Sequence, residues 1–248
     1  MEECSRIPST VVLYSVVVTI YNEIDNILSL VEEIEWVMNA YEGTWELIFV
    51  DDGSTDGSLQ LLEKLCRSKP TLRSLRLKKN YGQTSALVAG FKAARGTWVI
   101  TLDGDGQNDP RDIPLLIEAT SGSYDLVSGR RQKRRDSWYK RLISKAANSM
   151  RQLVLTDKTH DTGCSLKIYR RECLEKIPHF HGMHRFLPAL FQTEGFQTKE
   201  IPVHHRERRR GKSKYTLFNR GASLFFDMLA VRWMRKRRLR YEVDRELS

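Results

Sequence analysis

Apolar and polar positions fall along the first half of the chain in blocks of two kinds. Residues 11–20 form a continuous, largely β-branched run, the pattern of a strand buried on both faces. Ile24, Ile27, Leu28, Val31, Ile34, Val37 and Met38 then recur at helical spacing. The alternation continues with a strand over 45–50, a helix marked by Leu59, Leu61, Leu62 and Leu65, and a strand over 72–77. A helix over 86–94 ends before Gly96, and a strand over 97–102, a helix over 113–119 and a strand over 124–128 follow. This β-α repetition predicts an α/β fold, a mostly parallel sheet with helices on both faces. No internal repeat or low-complexity linker interrupts it.

In such sheets ligands bind beyond the carboxyl ends of the strands. Polar clusters fall there: Tyr21-Asn22-Glu23, Asp51-Asp52-Gly53-Ser54 and Asp103-Gly104-Asp105-Gly106-Gln107. One cluster alone would be an ordinary turn, whereas three at one edge point to a site. The first strand ends in YNE, without the GxGxxG of dinucleotide-binding folds, and no Walker A sequence is present. Asp103, Asp105 and Gln107 supply hard oxygen ligands suited to Mg2+ or Mn2+ completed by substrate phosphates. Asp51 and Asp52 are candidate acceptors for a base or a ribose hydroxyl, and Asp52 also suits a plain turn.

Composition changes the picture mainly through where the charge lies. The net charge is +10 over 248 residues. Residues 1–205 carry +1, residues 206–240 carry +11 and residues 241–248 carry −2. A second basic stretch, 130–145, has 8 Lys or Arg against Asp136 alone. Such concentration suggests an anionic partner, although a solvated basic tail would carry the same charge. No apolar run approaches the ~20 residues of a membrane span. The start, MEECSRIPST, lacks the pattern of a signal peptide. Four cysteines without a CxxC pair suggest reduced thiols and a cytoplasmic protein. The histidines of HFHGMH (179–184) have no helical metal-ligand spacing, and Trp36, Trp45 and Trp98 are expected in the core or at an interface.

TIYNE (19–23), DDGSTDGS (51–58), NYGQTSALVAGFKAARG (80–96) and DGDGQNDP (103–110) together resemble glycosyltransferase family 2, with its Rossmann-like GT-A fold. SGRR (128–131), KRLIS (140–144), DTGCSLKIYRRE (161–172) and HHRERRRGKSKY (204–215) narrow the resemblance to polyprenyl-phosphate glycosyltransferases. That group includes dolichol-phosphate mannosyltransferase and bacterial undecaprenyl-phosphate sugar transferases. The resemblance implies that Thr19, Tyr21, Glu23, Asp52, Asp103 and Gly104 bind the nucleotide-sugar, and that Asp103, Asp105 and Gln107 hold the metal. It implies Asp161 and Asp105 as catalytic carboxylates, and Arg130, Arg141, Ser144, Arg208 and Lys214 as the grip on the acceptor phosphate. Thr19 stands where the family usually has proline, and Gly104 where alanine is commoner.

A polyprenyl phosphate carries close to two charges near neutral pH, its second pKa being about 6. It is already a nucleophile, so Asp161 is expected to orient an arginine or the acceptor as much as to take a proton. The expected division is a catalytic domain over 1–215, with a nucleotide-sugar half (11–129) and an acceptor half (130–215), followed by a membrane-interface helix and tail over 216–248. Leu217, Phe218, Ala222, Leu224, Phe225, Met228, Leu229, Val231 and Trp233 form a broad apolar face on that helix, and Arg235–Arg238 follow. A helix packed on the sheet would show a similar face.

The expected activity is inverting, metal-dependent transfer of a sugar from GDP-mannose or a UDP-sugar to dolichyl or undecaprenyl phosphate. It would occur on the cytosolic membrane face, against an anionic membrane surface, with room for a membrane-embedded partner subunit. The competing expectation is a soluble family 2 enzyme with a glycan acceptor. A nucleic-acid module is disfavoured, because no recognised binding motif accompanies the charge.

Overall fold

The structure is a computed structural model that describes residues 12–41, 43–132, 155, 159–207 and 221–239; for 221–224 only the backbone is described. Chain contacts divide it into two units, Met1–Arg135 with Thr159–Ser213, and Asp136–Lys158 with Lys214–Ser248.

The first unit is built on a seven-stranded sheet. Its strands are β1 (Val12–Ile20), β2 (Thr44–Asp51), β3 (Leu72–Arg76), β4 (Trp98–Asp103), β5 (Leu126–Arg131), β6 (Lys167–Arg170) and β7 (Thr198–Val203). Their order is β3-β2-β1-β4-β6-β5-β7, and only β6 runs antiparallel to its neighbours. Helices α1 (Ile24–Met38), α2 (Ser58–Ser68), α3 (Gln83–Ala93), α4 (Ile113–Thr120), α5 (Arg171–Leu174) and α6 (Leu187–Thr193) connect them. Val16, Val17 and Val18 of β1 are fully buried, as a central strand covered on both faces requires. On α1 the buried stripe is Ile27, Leu30, Val31, Ile34, Val37 and Met38. Leu28 and Trp36 fall off that stripe and are exposed, Trp36 at 72%, whereas Trp45 and Trp98 pack against the core.

The topology locates the crevice. Successive strands step from β1 to β2 to β3, and β4 then returns to the other side of β1. Strand order reverses between β1 and β4, where open α/β sheets bind their ligands. Thr19 sits there in register with both Val50 and Asp103. Antiparallel β6 begins at the edge where β4 and β5 end, so Lys167 lies opposite Thr101 and Ser128. Strand β5 begins later than expected and runs three residues further, which takes Arg130 and Arg131 into the sheet.

In the second unit, α7 (Gly221–Arg237) has Met228 and Val231 buried, while Phe225, Phe226, Leu229 and Trp233 are exposed. The Arg235 guanidinium donates to the Leu155 carbonyl. The broad apolar face is therefore split, part buried and part open. Leu217 and Phe218 lie outside the described residues.

At the opposite end of the sheet, Glu46 ties four segments together. Its buried carboxylate accepts from Ser15 Oγ at 2.7 Å, the Arg95 amide at 2.8 Å and Arg73 Nη1 at 2.5 Å. Burial alone would raise its pKa, but the hydrogen bonds from Ser15, Arg95 and Arg73, with the Arg73 charge, bring it below the ordinary 4.5. Its contribution is therefore present above the unfolded-state pKa and is lost as pH falls through the lower folded value. Glu46→Gln should cost about 2 kcal/mol at pH 7, and urea unfolding from pH 7 to 3 should show that gap narrowing in acid. A gap constant with pH would contradict this role.

Candidate active site

Two interlocked loops form one end of the crevice. Asn22, at φ 53°, receives the Thr55 amide on its side-chain oxygen at 2.7 Å, and its own amide donates to Ser54 Oγ at 2.8 Å. Asp56 receives the Ile24 amide at 3.0 Å and so satisfies a donor at the start of α1. Gly53 has φ 75°, and a Cβ there would stand 2.6 Å from the Lys79 carbonyl carbon, which explains the glycine. Glu23 is buried and receives Asn26 Nδ2 at 2.7 Å, and Tyr21 is half-buried.

The two aspartates after β2 have different surroundings. Asp52 receives the amides of Tyr81 and Gly82, both at 2.8 Å. Burial raises its pKa, as does the neighbouring Asp51 charge, while those amides lower it. Its carboxylate thus holds the loop ahead of α3. Asp51 is completely buried: one oxygen receives the Ser54 amide at 2.9 Å, and the other, Oδ2, has no hydrogen-bond partner among the described residues. An unmet buried carboxylate oxygen is costly, and a ligand N–H or O–H would satisfy it.

The acidic turn after β4 forms the middle of the crevice. Asp103 receives Gln83 Nε2 at 2.8 Å, and Asp105 receives the Gln107 amide at 3.0 Å. Burial, then the charge of Asp105, pushes the Asp103 pKa up to about 6, against the opposing influence of Ser165, Lys167 and Gln83. A pair of carboxylates held at this electrostatic cost is what a bound cation relieves. Among the described residues no group of three or more His, Cys, Asp or Glu forms a metal cage. The carboxylates of Asp103 and Asp105 and the amide oxygen of Gln107 are hard oxygen donors, the type that Mg2+ or Mn2+ takes together with phosphate oxygens. The chain leaving β7 straps this turn in place. The Arg206 amide donates to the Gln107 carbonyl at 2.8 Å, and its guanidinium reaches Glu33 at 2.6 Å and Asp109 at 2.5 Å. His204 donates its amide to Asp112 at 2.6 Å.

The third part lies beyond β6. Asp161 is buried and accepts Arg131 Nε and Nη2, both at 2.7 Å, the Arg131 amide at 3.1 Å and the Gly163 amide at 3.2 Å. Burial would lower the Arg131 pKa, but the hydrogen bonds and charge of Asp161 raise it above its ordinary value. Buried Lys167 donates to the Cys164 carbonyl and lies within the electrostatic reach of Asp103, Asp161 and Arg131. Burial lowers its pKa.

The fold brings Thr19, Asp52, Asp103, Gly104, Asp105 and Gln107 to one edge, with Tyr21 and Glu23 on the adjoining loop. Arg130 is exposed at the end of β5, and strand alternation points it to the opposite side from Arg131, whose guanidinium meets Asp161. Arg141, Ser144, Arg208 and Lys214 lie outside the described residues. Sequence reasoning missed Gln83, Arg131, Lys167 and Glu200. Lys167 had a visible signal, a lysine inside the apolar stretch SLKIY. His184 Nδ1 lies 2.8 Å from Thr84 Oγ1, which joins the histidine-rich loop to α3.

The sheet, parallel but for β6, reverses its order between β1 and β4 at a crevice lined by acidic residues. The chain belongs to glycosyl transferase family 2, which it matches over residues 15–178, and it is a glycosyltransferase. It is 38% identical over 222 residues to the undecaprenyl-phosphate 4-deoxy-4-formamido-L-arabinose transferase of Edwardsiella ictaluri, covering 89% of this chain and 68% of that one. To the Proteus mirabilis protein of the same name it is 39% identical over 216 residues, covering 87% and 66%. The chain thus spans about two thirds of the length of these relatives. Among solved structures, glucosyl-3-phosphoglycerate synthase of Mycobacterium tuberculosis, in complex with Mn2+, UDP and glucosyl-3-phosphoglycerate, superposes with a TM-score of 0.63. That match covers 90% of this chain and 79% of that one at 18% identity, a likeness of fold, here GT-A.

Gly104 has a packing reason. A Cβ there would stand 2.3 Å from Ile20 Cγ2 and 3.1 Å from the Thr19 carbonyl. Gly104→Ala should lower stability by about 1–3 kcal/mol, as overpacking does. Ile20→Val, which removes only the terminal methyl Cδ1, should not restore it, whereas Ile20→Ala should recover most of the loss in a double-mutant cycle of melting temperatures. Additive effects of Gly104→Ala and Ile20→Ala would contradict the contact.

Proposed function

We propose that this enzyme transfers a sugar, with inversion, from a nucleotide-diphospho-sugar to a polyprenyl phosphate at the cytosolic face of a membrane. The observation that carries the reading is the order of groups along the sheet edge. Asp51 and Asp52 end β2, Asp103 and Asp105 end β4, and the Arg131–Asp161 pair ends β5. A nucleoside, a diphosphate and an acceptor phosphate follow each other in the same sequence in the reaction. The names of the 38–39% identical relatives support the acceptor class.

In this reading Asp51 Oδ2 accepts a donor group of the nucleoside, while Asp52 holds the Tyr81–Gly82 backbone beside it. Thr19, Tyr21, Glu23 and Gly104 line the same end. A divalent cation, Mg2+ or Mn2+, held by Asp103, Asp105 and Gln107 supplies neutralisation of the leaving diphosphate. An acceptor phosphate oxygen attacks the anomeric carbon. The carbon–oxygen bond to the diphosphate breaks, and its electron pair leaves on the nucleoside diphosphate. The acceptor is already anionic, so no proton must be removed; cationic groups are needed to bring two anions together. Arg131 supplies one; family resemblance assigns Arg130, Arg141, Arg208 and Lys214 to the same task, with the Ser144 hydroxyl as a neutral hydrogen-bond donor.

No helix among the described residues is long and apolar enough to cross a membrane. The exposed Phe225, Phe226, Leu229 and Trp233 of α7, followed by Arg235–Arg238, suit a helix lying in an anionic interface. Each basic residue near such a surface is worth roughly 1 kcal/mol.

The test is transfer of radiolabelled sugar from UDP- and GDP-sugars to long-chain polyprenyl phosphate in vesicles. Label should enter the lipid phase, and Asp105→Asn should lower turnover about a hundredfold or more, since several kcal/mol of charge stabilisation is lost. Phe226→Ser with Trp233→Ser should impair transfer in vesicles and spare transfer to a short, water-soluble polyprenyl phosphate. Label passing only to glycan acceptors would overturn the acceptor, and full activity of Asp105→Asn would overturn the metal site.

A further inference from the structure

Glu200 lies on β7, opposite Ser128 of β5, and no motif singled it out. Its carboxylate receives two consecutive backbone amides, His160 at 2.9 Å and Asp161 at 3.0 Å, and lies 2.9 Å from the His160 ring at Nδ1. Two successive amides on one carboxylate fix the orientation of the peptide that carries Asp161.

Asp161 in turn receives four donors, three of them from Arg131. A carboxylate offers about four acceptor sites, so this one is fully engaged and is not disposed to take a proton from a substrate. A guanidinium has five N–H groups in a rigid fork. Two point at Asp161, and the other three have no hydrogen-bond partner among the described residues. The Arg131 side chain is 14% exposed and lies within the electrostatic reach of Asp103. Strand β5 is two strands from β4, about 10 Å at the usual interstrand spacing. Arg131 thus feels the charge of Asp103 across β6, on the side of the crevice where the diphosphate is placed in the reading above.

We propose that Glu200 is the positioning residue for the Arg131 guanidinium assigned above to the acceptor phosphate, acting through the His160–Asp161 peptide and the Asp161 carboxylate. This rests on the polyprenyl-phosphate reading above and deepens it. Glu200 touches neither substrate. Its effect is to hold the Asp161 fork at the angle that presents the free edge of Arg131 to a phosphate, a geometry a bidentate arginine contact requires.

The test uses the full chain with a short, water-soluble polyprenyl phosphate. Glu200→Gln, Arg131→Lys and their combination are compared for acceptor KM, kcat, nucleoside diphosphate affinity with Mn2+, and melting temperature. Glu200→Gln should raise the acceptor KM about tenfold, with nucleotide affinity changed less than twofold. Glu200→Asp, which keeps the charge, should recover part of the loss. The double variant should be no worse than Arg131→Lys alone, because both act on one contact. The pH profile of Asp161→Asn should keep its acidic limb, since Asp161 is not the base. An unchanged acceptor KM in Glu200→Gln, an equal loss of nucleotide affinity or additive losses would overturn the role of Glu200. A wild-type protein that binds nucleotide yet neither binds nor uses the polyprenyl phosphate would overturn the acceptor reading and this proposal together.

Discussion

Carboxylates gathered in one crevice repel one another, and each loses water as the crevice closes. Asp51, Asp52, Asp103, Asp105 and Asp161 all stand at the same edge of the sheet. Asp51 raises the pKa of Asp52, and Asp105 that of Asp103. The surrounding structure offsets this repulsion group by group. Backbone amides of Tyr81 and Gly82 serve Asp52, Gln83 serves Asp103, and Arg131 serves Asp161. Buried Lys167 lies within reach of both Asp103 and Asp161. The substrates proposed for this edge are themselves anions, so the same offsetting by amides, guanidinium and cation that makes the folded state tolerable is what binding requires.

Much of the fold was legible because its central strands are uniform. β1, β2 and β4 are buried on both faces and read as apolar runs, and α1 carries a clear stripe. The acidic turns followed from those strands, since residues just after a parallel strand fall at the binding edge. β6 and β7 were not legible. β6 has four residues and is antiparallel, and β7 has adjacent charges, exposed Lys199 and half-buried Glu200, and carries Pro202 at a sheet edge. Without them, nothing in the sequence brings Glu200 near Asp161, 39 positions away.

The site was legible to the same extent. Residues on the first four strands could be placed from local pattern, whereas Arg130 and Arg131 differ only by which face of β5 each occupies. That choice depends on where the strand begins and ends, and a one-residue shift in register reverses it. Gly104 shows the same dependence: its small size answers to Ile20, a neighbour that sequence order alone puts 84 positions away.

The central claim is that the Asp103–Asp105 turn binds the diphosphate of a nucleotide through a divalent cation. Calorimetric titration of the intact protein with UDP and with GDP, in Mn2+ and in excess EDTA, tests it most directly. The account predicts tight binding of one of them in Mn2+ and a loss of about tenfold or more in EDTA, with Asp103→Asn abolishing the difference. Equal affinity with and without the metal would contradict it.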